Sequence, residues 1–269
     1  CANKLFYLPA TPEIFGTIFE NLSSSVLSES CHAGEGWTRI IVEKPFGKDA
    51  KTARELDELL AKLFREEQIC RIDHYLAKEM LQSILTFRFS NNLFEANWSN
   101  EAIEKIEIKL WETMGVEERG AFYDGVGALR DVGQNHLLQM LALVAMERPE
   151  GYSADSIRLK RAELLKNLVR PDVFEIKRSS VRAQYEGYRD IKGVKPDSET
   201  ETYFKIQAAL DLPRWRGVPF ILESGKRMYE QRKEVVVTFR HPSPCLCPKD
   251  THYQNKIVFG IEPEERITI

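Results

Sequence analysis

The hydrophobic pattern changes its period near Ile103, and this change limits the kinds of sheet that the chain can form. Before that point, short apolar runs such as 40–42 alternate with amphipathic segments of helical spacing, which is typical of a parallel sheet with buried strands. After it, Ile106, Ile108 and Leu110 alternate with charged residues, as in strands with one buried face. The sequence therefore predicts an α/β region followed by an α+β region with a large, mostly antiparallel sheet.

Other periodic segments are assigned in the same way. Strands are predicted over 5–8, 39–43, 103–111, 204–210, 235–239 and 257–261, and helices over 12–22, 49–66, 129–146 and 155–168. The helix over 129–146 is mostly apolar, so we expect it to be buried. The stretch 185–202 has no period and is predicted to be a loop.

The charge balance excludes some partners. The 269-residue chain has 38 basic and 41 acidic residues, which gives a formal net charge of −3. This balance provides no general attraction for nucleic acid or for an anionic membrane, so we expect neither as a partner.

No apolar run reaches membrane-spanning length and no signal peptide is evident, which predicts a cytoplasmic protein. The first residue is Cys1 and not Met, which suggests a fragment.

The cysteines do not form the framework of a disulfide-rich secreted protein, because they are odd in number and scattered. We expect mostly free thiols at the five positions, which are Cys1, Cys31, Cys70, Cys245 and Cys247. The last two lie near His241 and His252, and a zinc site there is the less favoured alternative. Their C-x-C spacing among prolines matches no common structural zinc pattern, so no metal site is predicted.

The segment 71–79, with the sequence RIDHYLAKE, concentrates groups that suit an anionic, oxygen-rich ligand. If it is helical from about Asp73, His74 and Lys78 stand four apart on one face and can bind the same phosphate. Tyr75 lies beside them and can donate a further hydrogen bond. The spacing is equally compatible with a solvated helix face that carries a chance histidine.

This segment resembles RIDHYLGKE, the substrate-phosphate signature of the glucose-6-phosphate dehydrogenase family. Four further blocks resemble the same family in the same order: LFYLPATP at 5–12, IIVEKPFGKD at 40–49, RDVGQNHLLQMLALVAMERP at 130–149 and RWRGVPFILESGK at 214–226. The resemblance implies the tail of a Rossmann domain that binds NADP, over 1–72, and a truncated α+β domain for substrate binding and dimerisation, over 73–269. It further implies oxidation of glucose 6-phosphate with NADP+ by a homodimer or homotetramer.

The resemblance implies a catalytic pair as well. His136 is identified as the general base that takes the proton of the anomeric hydroxyl, a task for which a neutral imidazole is suited near pH 7. Asp73 is implied as the carboxylate that fixes the imidazole tautomer. Asp131, five residues before His136, is a local alternative for that role, but the family assigns it a hydrogen bond to the sugar. Without the resemblance, His136 would be interpreted as a histidine of the core, and Asp131 as an acidic residue that stabilises the N-terminus of a helix.

Four further residues are implied in binding. Glu112 and Lys226 resemble ligands of the sugar, while Lys44 resembles a lysine at the junction of substrate and nicotinamide. Pro45 would fix the turn that aims Lys44, and a cis bond there is an open possibility. Outside their motifs, Glu112 would be taken for an exposed strand end and Lys226 for a solvated loop lysine.

Two positions depart from the family pattern. Ala77 stands where the signature has glycine, a change that favours helix by about 1 kcal/mol. Gln231 aligns with a basic residue that contacts substrate in relatives, and Arg232 could replace it only if the backbone shifted. We therefore expect weaker binding of the phosphate, since one hydrogen bond to a charged group contributes about 1.5–3 kcal/mol.

The glycine turn that cradles a dinucleotide is not found in the sequence. The segment Gly34–Glu35–Gly36 lies in a polar loop, and in the family the turn precedes a segment like 5–8. We therefore expect an internal fragment that lacks both the first half of the dinucleotide-binding domain and the C-terminal end. A non-catalytic phosphosugar-binding or structural remnant is the alternative.

Overall fold

A computed structural model gives the fold of the protein over residues 2–8, 12–25, 27–28, 36–47, 49–246 and 254–269. The chain divides into two compact units, Cys1–His74 (unit 1) and Tyr75–Ile269 (unit 2). Among the described helices, none has both the length and the apolar character that crossing a membrane requires.

Unit 1 contains a parallel sheet with the strand order β1 (Lys4–Leu8), β2 (Thr38–Val42) and β3 (Ile69–Arg71). Helices α1 (Pro12–Ser24) and α2 (Ala50–Leu63) lie between these strands in sequence, as parallel strands require a crossover connection. The apolar faces of these elements form one core, whose buried side chains are Phe15, Phe19, Ile40, Val42, Leu60, Phe64 and Ile69.

Helix α2 begins at a capping box. The Asp49 carboxylate accepts a hydrogen bond from the Thr52 amide at 2.8 Å, and the Thr52 hydroxyl accepts one from the Asp49 amide at 3.1 Å. These bonds satisfy amide groups that have no partner within the helix. The predicted start near Asp49 is therefore correct, but the helix ends at Leu63, three residues earlier than predicted.

Unit 2 is built on a mixed sheet. Its strand order is β10-β9-β8-β4-β7-β6-β5, where the strands are β4 (Ile103–Trp111), β5 (Ser180–Ala183), β6 (Tyr203–Ala208), β7 (Phe220–Gly225), β8 (Arg232–Phe239), β9 (Lys256–Glu262) and β10 (Arg266–Thr268). β4 and β7 run parallel, and the other neighbouring pairs are antiparallel. Periodicity does not predict β7, because this strand is buried almost throughout and has no alternation.

The helices of unit 2 are α3 (Glu79–Phe89), α4 (Asn92–Glu95), α5 (Gly120–Asp124), α6 (Leu138–Ala145), α7 (Ala154–Lys166) and α8 (Val173–Ser179). Apolar side chains of α3 and α6 belong to the same core as the inward-facing residues of β4 and β8. The apolar character of α6 fits the burial of its last six residues, 140–145, and α6 is the second half of the helix that the sequence predicts over 129–146.

The first half of that predicted helix has a different geometry. Leu129–Leu137 is a π-helix, and the α-helix starts only at Leu138. Gly133 lies in the π-helix, and a Cβ there would stand 2.8 Å from a carbon of the Phe204 ring. Glycine therefore allows the π-helix to lie close to β6. The wider turn also changes the direction of its side chains relative to an α-helix, which matters because Asp131 and His136 belong to it.

Ile108, in the middle of β4, tests this packing, because its side chain is fully buried in the unit 2 core. We expect Ile108→Ala to lower the free energy of unfolding by about 2–5 kcal/mol, through lost burial and the cavity that remains. The control is Lys105→Ala in the same strand, whose partly exposed side chain pairs with Glu107 at 2.9 Å. Lys105→Ala should lower the free energy of unfolding by no more than about 1 kcal/mol. Urea unfolding followed by tryptophan fluorescence measures both, and equal losses would contradict the described core.

Candidate active site

The parallel register of β4 and β7 brings two predicted site residues together. Trp111 pairs with Gly225, so the residues that follow them, Glu112 and Lys226, lie side by side at the end of the sheet. Their ion pair measures 2.6 Å between the Lys226 ammonium and the Glu112 carboxylate, although the residues are 114 positions apart. Lys226 is buried, and a buried lysine is normally found only with such a partner. The solvated loop lysine of the alternative interpretation is therefore wrong.

Tyr123 connects this pair with Asp131. The Lys226 ammonium lies 5.7 Å from the centroid of the Tyr123 ring. Burial and the negative charges of Asp131, Glu201 and Glu112 raise the pKa of the Tyr123 phenol well above its usual value of 10.0. The phenol therefore keeps its proton and its capacity to donate a hydrogen bond. Sequence patterns did not single out Tyr123, because a buried tyrosine is ordinary in a core.

His136 lies near the end of the π-helix and is almost completely buried. Its ring stacks on the ring of Tyr75, with centroids 4.2 Å apart and an interplanar angle of 29°. The backbone amide of His136 donates to the Asn135 side-chain oxygen at 2.6 Å, and the Asn135 side-chain nitrogen donates to the Asp131 carbonyl at 3.0 Å. The Asn135 side chain thus links the backbone of Asp131 to that of His136, and π-helical turns of this kind often occur at functional sites.

The signature segment is not the continuous helix that the sequence suggests from about Asp73. His74–Ala77 forms a single 3-10 turn, and Lys78 has extended backbone angles before α3 begins at Glu79. The prediction that His74 and Lys78 lie on one face of a continuous helix is therefore wrong. Within unit 2, the break lets the Lys78 ammonium lie 5.4 Å from the centroid of the Tyr75 ring.

Glu262, at the end of β9, accepts bonds from several donors of unit 2. Its carboxylate lies 2.7 Å from the ammonium of Lys78 and 2.7 Å from that of Lys233, and the Gln231 amide donates to it at 3.0 Å. Burial opposes ionisation of this carboxyl, but these three hydrogen bonds outweigh burial and lower the pKa of Glu262 to about 2. Gln231 therefore donates a hydrogen bond to Glu262 but brings no positive charge.

Lys233 and Glu262 are not among the site residues predicted from the sequence. A signal was present in β8, where Lys233 occupies the same alternation as the buried Val235 and Val237. A lysine on the inward face of a strand is rare unless an anionic group pairs with it, so the alternation marks this position as unusual. The end of β9 carried no comparable signal, because a glutamate after an apolar strand is common.

Unit 1 holds the remaining predicted residues at one edge of its sheet. Val42 pairs with Leu8 on one side and with Arg71 on the other, so the carboxyl ends of the strands are in register. Lys44 and Pro45 follow β2, and Asp73 and His74 follow β3, which puts all four beyond this edge. The Lys44–Pro45 peptide bond is cis, a feature that sequence alone does not reveal.

The alternative zinc constellation is only partly described. Cys245 Sγ lies 3.5 Å from His241 Nε2. Cys247 and His252 lie outside the residues that the structure describes, as do Cys1, Cys31, Gly34 and Glu35. The described pair alone does not supply the four ligands of a structural zinc site.

Family models match nearly the whole chain. Residues 1–83 match the model described as "Glucose-6-phosphate dehydrogenase, NAD binding domain", and residues 85–269 match "Glucose-6-phosphate dehydrogenase, C-terminal domain". With two matched domains in the order of the family, the chain belongs to the glucose-6-phosphate dehydrogenase family.

Curated relatives and solved structures agree with this assignment. The chain is 44% identical to glucose-6-phosphate 1-dehydrogenase of Streptococcus pneumoniae over 88% of its own length and 49% of the relative's. It is 40% identical to the Bacillus subtilis protein of the same name, over 99% of this chain and 56% of the relative. A solved glucose-6-phosphate dehydrogenase in complex with glucose-6-phosphate has 37% identity and a TM-score of 0.88, over 98% of this chain and 54% of that one. The chain thus spans about half the length of these proteins.

The low pKa of Glu262 predicts a pH-dependent contribution to stability. Its usual pKa is 4.5 and its folded pKa is about 2, so the ionised carboxylate stabilises the fold above pH 4.5. This contribution is lost as the pH falls from about 4.5 to about 2. We therefore expect the difference in unfolding free energy between the wild type and Glu262→Gln to shrink over that interval.

Urea unfolding at a series of pH values measures the difference. The control is Glu264→Gln, which removes an exposed carboxylate that pairs with exposed Arg266 at 3.0 Å. It should have a small effect at every pH. A wild-type advantage over Glu262→Gln that stays constant down to pH 2 would refute the assigned ion pairs.

Proposed function

We propose that the protein containing this chain oxidises glucose 6-phosphate to 6-phosphogluconolactone with reduction of NADP+, as in the oxidative pentose phosphate pathway. The observation that carries the proposal is the set of groups at one end of the unit 2 sheet. There the register of β4 and β7 pairs Glu112 with Lys226, and the π-helix carries Asp131 and His136. The names of the relatives support the same activity.

His136 acts as the general base in this proposal. Loss of a hydride from C1 of the sugar leaves a carbonyl group only if the hydroxyl proton also departs, so a base must take that proton. An imidazole suits this step near neutral pH, and stacking on Tyr75 holds the ring in place. Asp73 is proposed as the carboxylate that orients the base, an assignment that rests on the family resemblance.

The other residues bind the substrate. Lys78, Tyr75 and His74 are proposed to hold the phosphate, since ammonium, phenol and imidazole groups all donate hydrogen bonds to phosphate oxygens. Glu112, Asp131 and Lys226 are proposed to orient the sugar hydroxyls. The Glu112–Lys226 ion pair presents both an acceptor and a donor there, as a hydroxyl requires. Binding would thus position C1 before the chemical step.

Unit 1 is proposed to be the C-terminal part of a Rossmann domain, over 1–72, with the substrate and dimerisation domain over 73–269. Dinucleotides bind beyond the carboxyl ends of such parallel strands, where Lys44 and Pro45 lie, so these residues fit contact with the nicotinamide end of NADP+. When bound, NADP+ supplies the hydride acceptor. The family resemblance also supports a cytoplasmic homodimer or homotetramer.

Substitution of the base tests the activity. We expect His136→Asn to lower kcat by about 100- to 10,000-fold, because proton transfer to a positioned base contributes that much. Binding of glucose 6-phosphate should change far less, because other residues bind the sugar and the phosphate. NADPH formation and calorimetric titration measure the two quantities in the protein that contains this chain.

The control is His241→Asn, the same chemical change at a histidine that contacts Pro242 and Cys245 and has no assigned role. It should leave kcat unchanged. Full activity in His136→Asn would reject the assigned base. Binding of glucose 6-phosphate by the wild type without any turnover would favour the non-catalytic remnant.

A further inference from the structure

Lys233 combines burial with charge at a position that no motif marks. It lies in β8 beside the end of β9, and its side chain is 10% exposed. An ammonium group is rarely buried to this extent unless an anion accompanies it, because desolvation disfavours the charged form. Its described anionic partner is Glu262, at 2.7 Å.

Lys78 and Lys233 approach the same two groups. Their ammonium nitrogens lie 5.4 Å and 5.7 Å from the centroid of the Tyr75 ring, within the range of a cation–π contact. Both also bond to Glu262, one to each carboxylate oxygen. The Gln231 amide adds a third donor, at 3.0 Å. Two cations and a neutral donor therefore surround one anionic group.

Neighbouring Arg232 does not belong to this cluster. Its guanidinium pairs with Glu230 and lies 3.9 Å from Glu234. It also lies 5.1 Å from the centroid of the Trp111 ring. Successive residues of a strand point to opposite faces, which separates Arg232 from Lys233. The backbone shift that would let Arg232 replace a basic residue at position 231 is thus not observed.

We propose that Lys233 is a second phosphate-binding residue, which supplies the positive charge that Gln231 lacks, and that Glu262 is an internal anion which the phosphate of the substrate displaces from both lysines. The inference rests on the proposed function, because it takes glucose 6-phosphate as the ligand. It assigns a specificity role, namely the selection of phosphorylated over unphosphorylated sugar.

Charge and exposure both support displacement. A phosphate monoester carries about −1.5 to −2 charges at pH 7 and three acceptor oxygens, whereas the carboxylate has one charge and two oxygens. The phosphate can therefore bond to both ammonium groups and to the Gln231 amide at once. The side chains of Lys78 and Glu262 are 25% and 30% exposed, so each has solvent on one side into which it can move. Lys233, held within the strand, stays in place.

The experiment is a calorimetric titration of the protein that contains this chain with glucose 6-phosphate, and with glucose as the probe that lacks a phosphate. Lys233→Gln should weaken binding of glucose 6-phosphate by about 10- to 100-fold, the effect of losing a charge-assisted hydrogen bond. Glu262→Gln should instead strengthen it by about three- to tenfold, because the competing anion is gone. Neither variant should alter the binding of glucose.

Two controls keep the test decisive. Arg232→Gln removes the same charge from the adjacent position on the other face and should leave the affinity for glucose 6-phosphate unchanged. Lys233→Arg keeps the charge and should retain binding within about fivefold. Circular dichroism establishes which variants are folded. If Lys233→Gln does not fold, the opposite-signed effect of Glu262→Gln still decides the question.

The proposal is overturned if a folded Lys233→Gln variant binds glucose 6-phosphate as the wild type does, if Arg232→Gln has an equal effect, or if Glu262→Gln weakens binding. Each of these outcomes leaves the proposed function intact, because the wild type still binds the substrate. A folded wild-type protein, containing this chain, that binds no glucose 6-phosphate would instead remove the substrate itself and reject both proposals.

Discussion

The parallel pairing of β4 with β7 is the constraint on which the proposed substrate-binding end of unit 2 depends. Hydrogen bonding between the strands sets Trp111 opposite Gly225, and the chain then continues into Glu112 and Lys226 at the same level. An antiparallel pairing would send these two residues to opposite ends of the sheet. The 2.6 Å ion pair between them is therefore a consequence of strand direction.

The buried and half-buried lysines at this end of the unit 2 sheet all have an anionic partner. Lys226 is compensated by Glu112, and Lys78 and Lys233 are compensated by Glu262. Cations can thus be buried before any ligand arrives, at a lower cost than unpaired charges would incur. A phosphorylated sugar offers replacement acceptors for each cation, so it can exchange with the internal pairs without leaving an ammonium group unsatisfied.

Local periodicity was sufficient for most strands and for the parallel sheet of unit 1, because it reports which face of an element is buried. It could not reveal the π-helix around His136, since residue spacing alone does not separate an α-turn from a wider one. Nor could it predict the Glu112–Lys226 pair, which depends on register between distant strands. Motif resemblance singled out His136, Glu112 and Lys226, but Lys233 lies outside every motif, and only the alternation of β8 and the burial of its side chain distinguish it.

A crystal structure of the protein that contains this chain, with glucose 6-phosphate bound, most directly tests whether this end of the unit 2 sheet binds the substrate. We expect sugar hydroxyls within hydrogen-bonding distance of Glu112 and Lys226, and the phosphate in contact with Lys78. We also expect the anomeric hydroxyl beside His136. A sugar bound elsewhere on the chain, or bound here with its phosphate at the Glu112–Lys226 pair, would contradict this expectation.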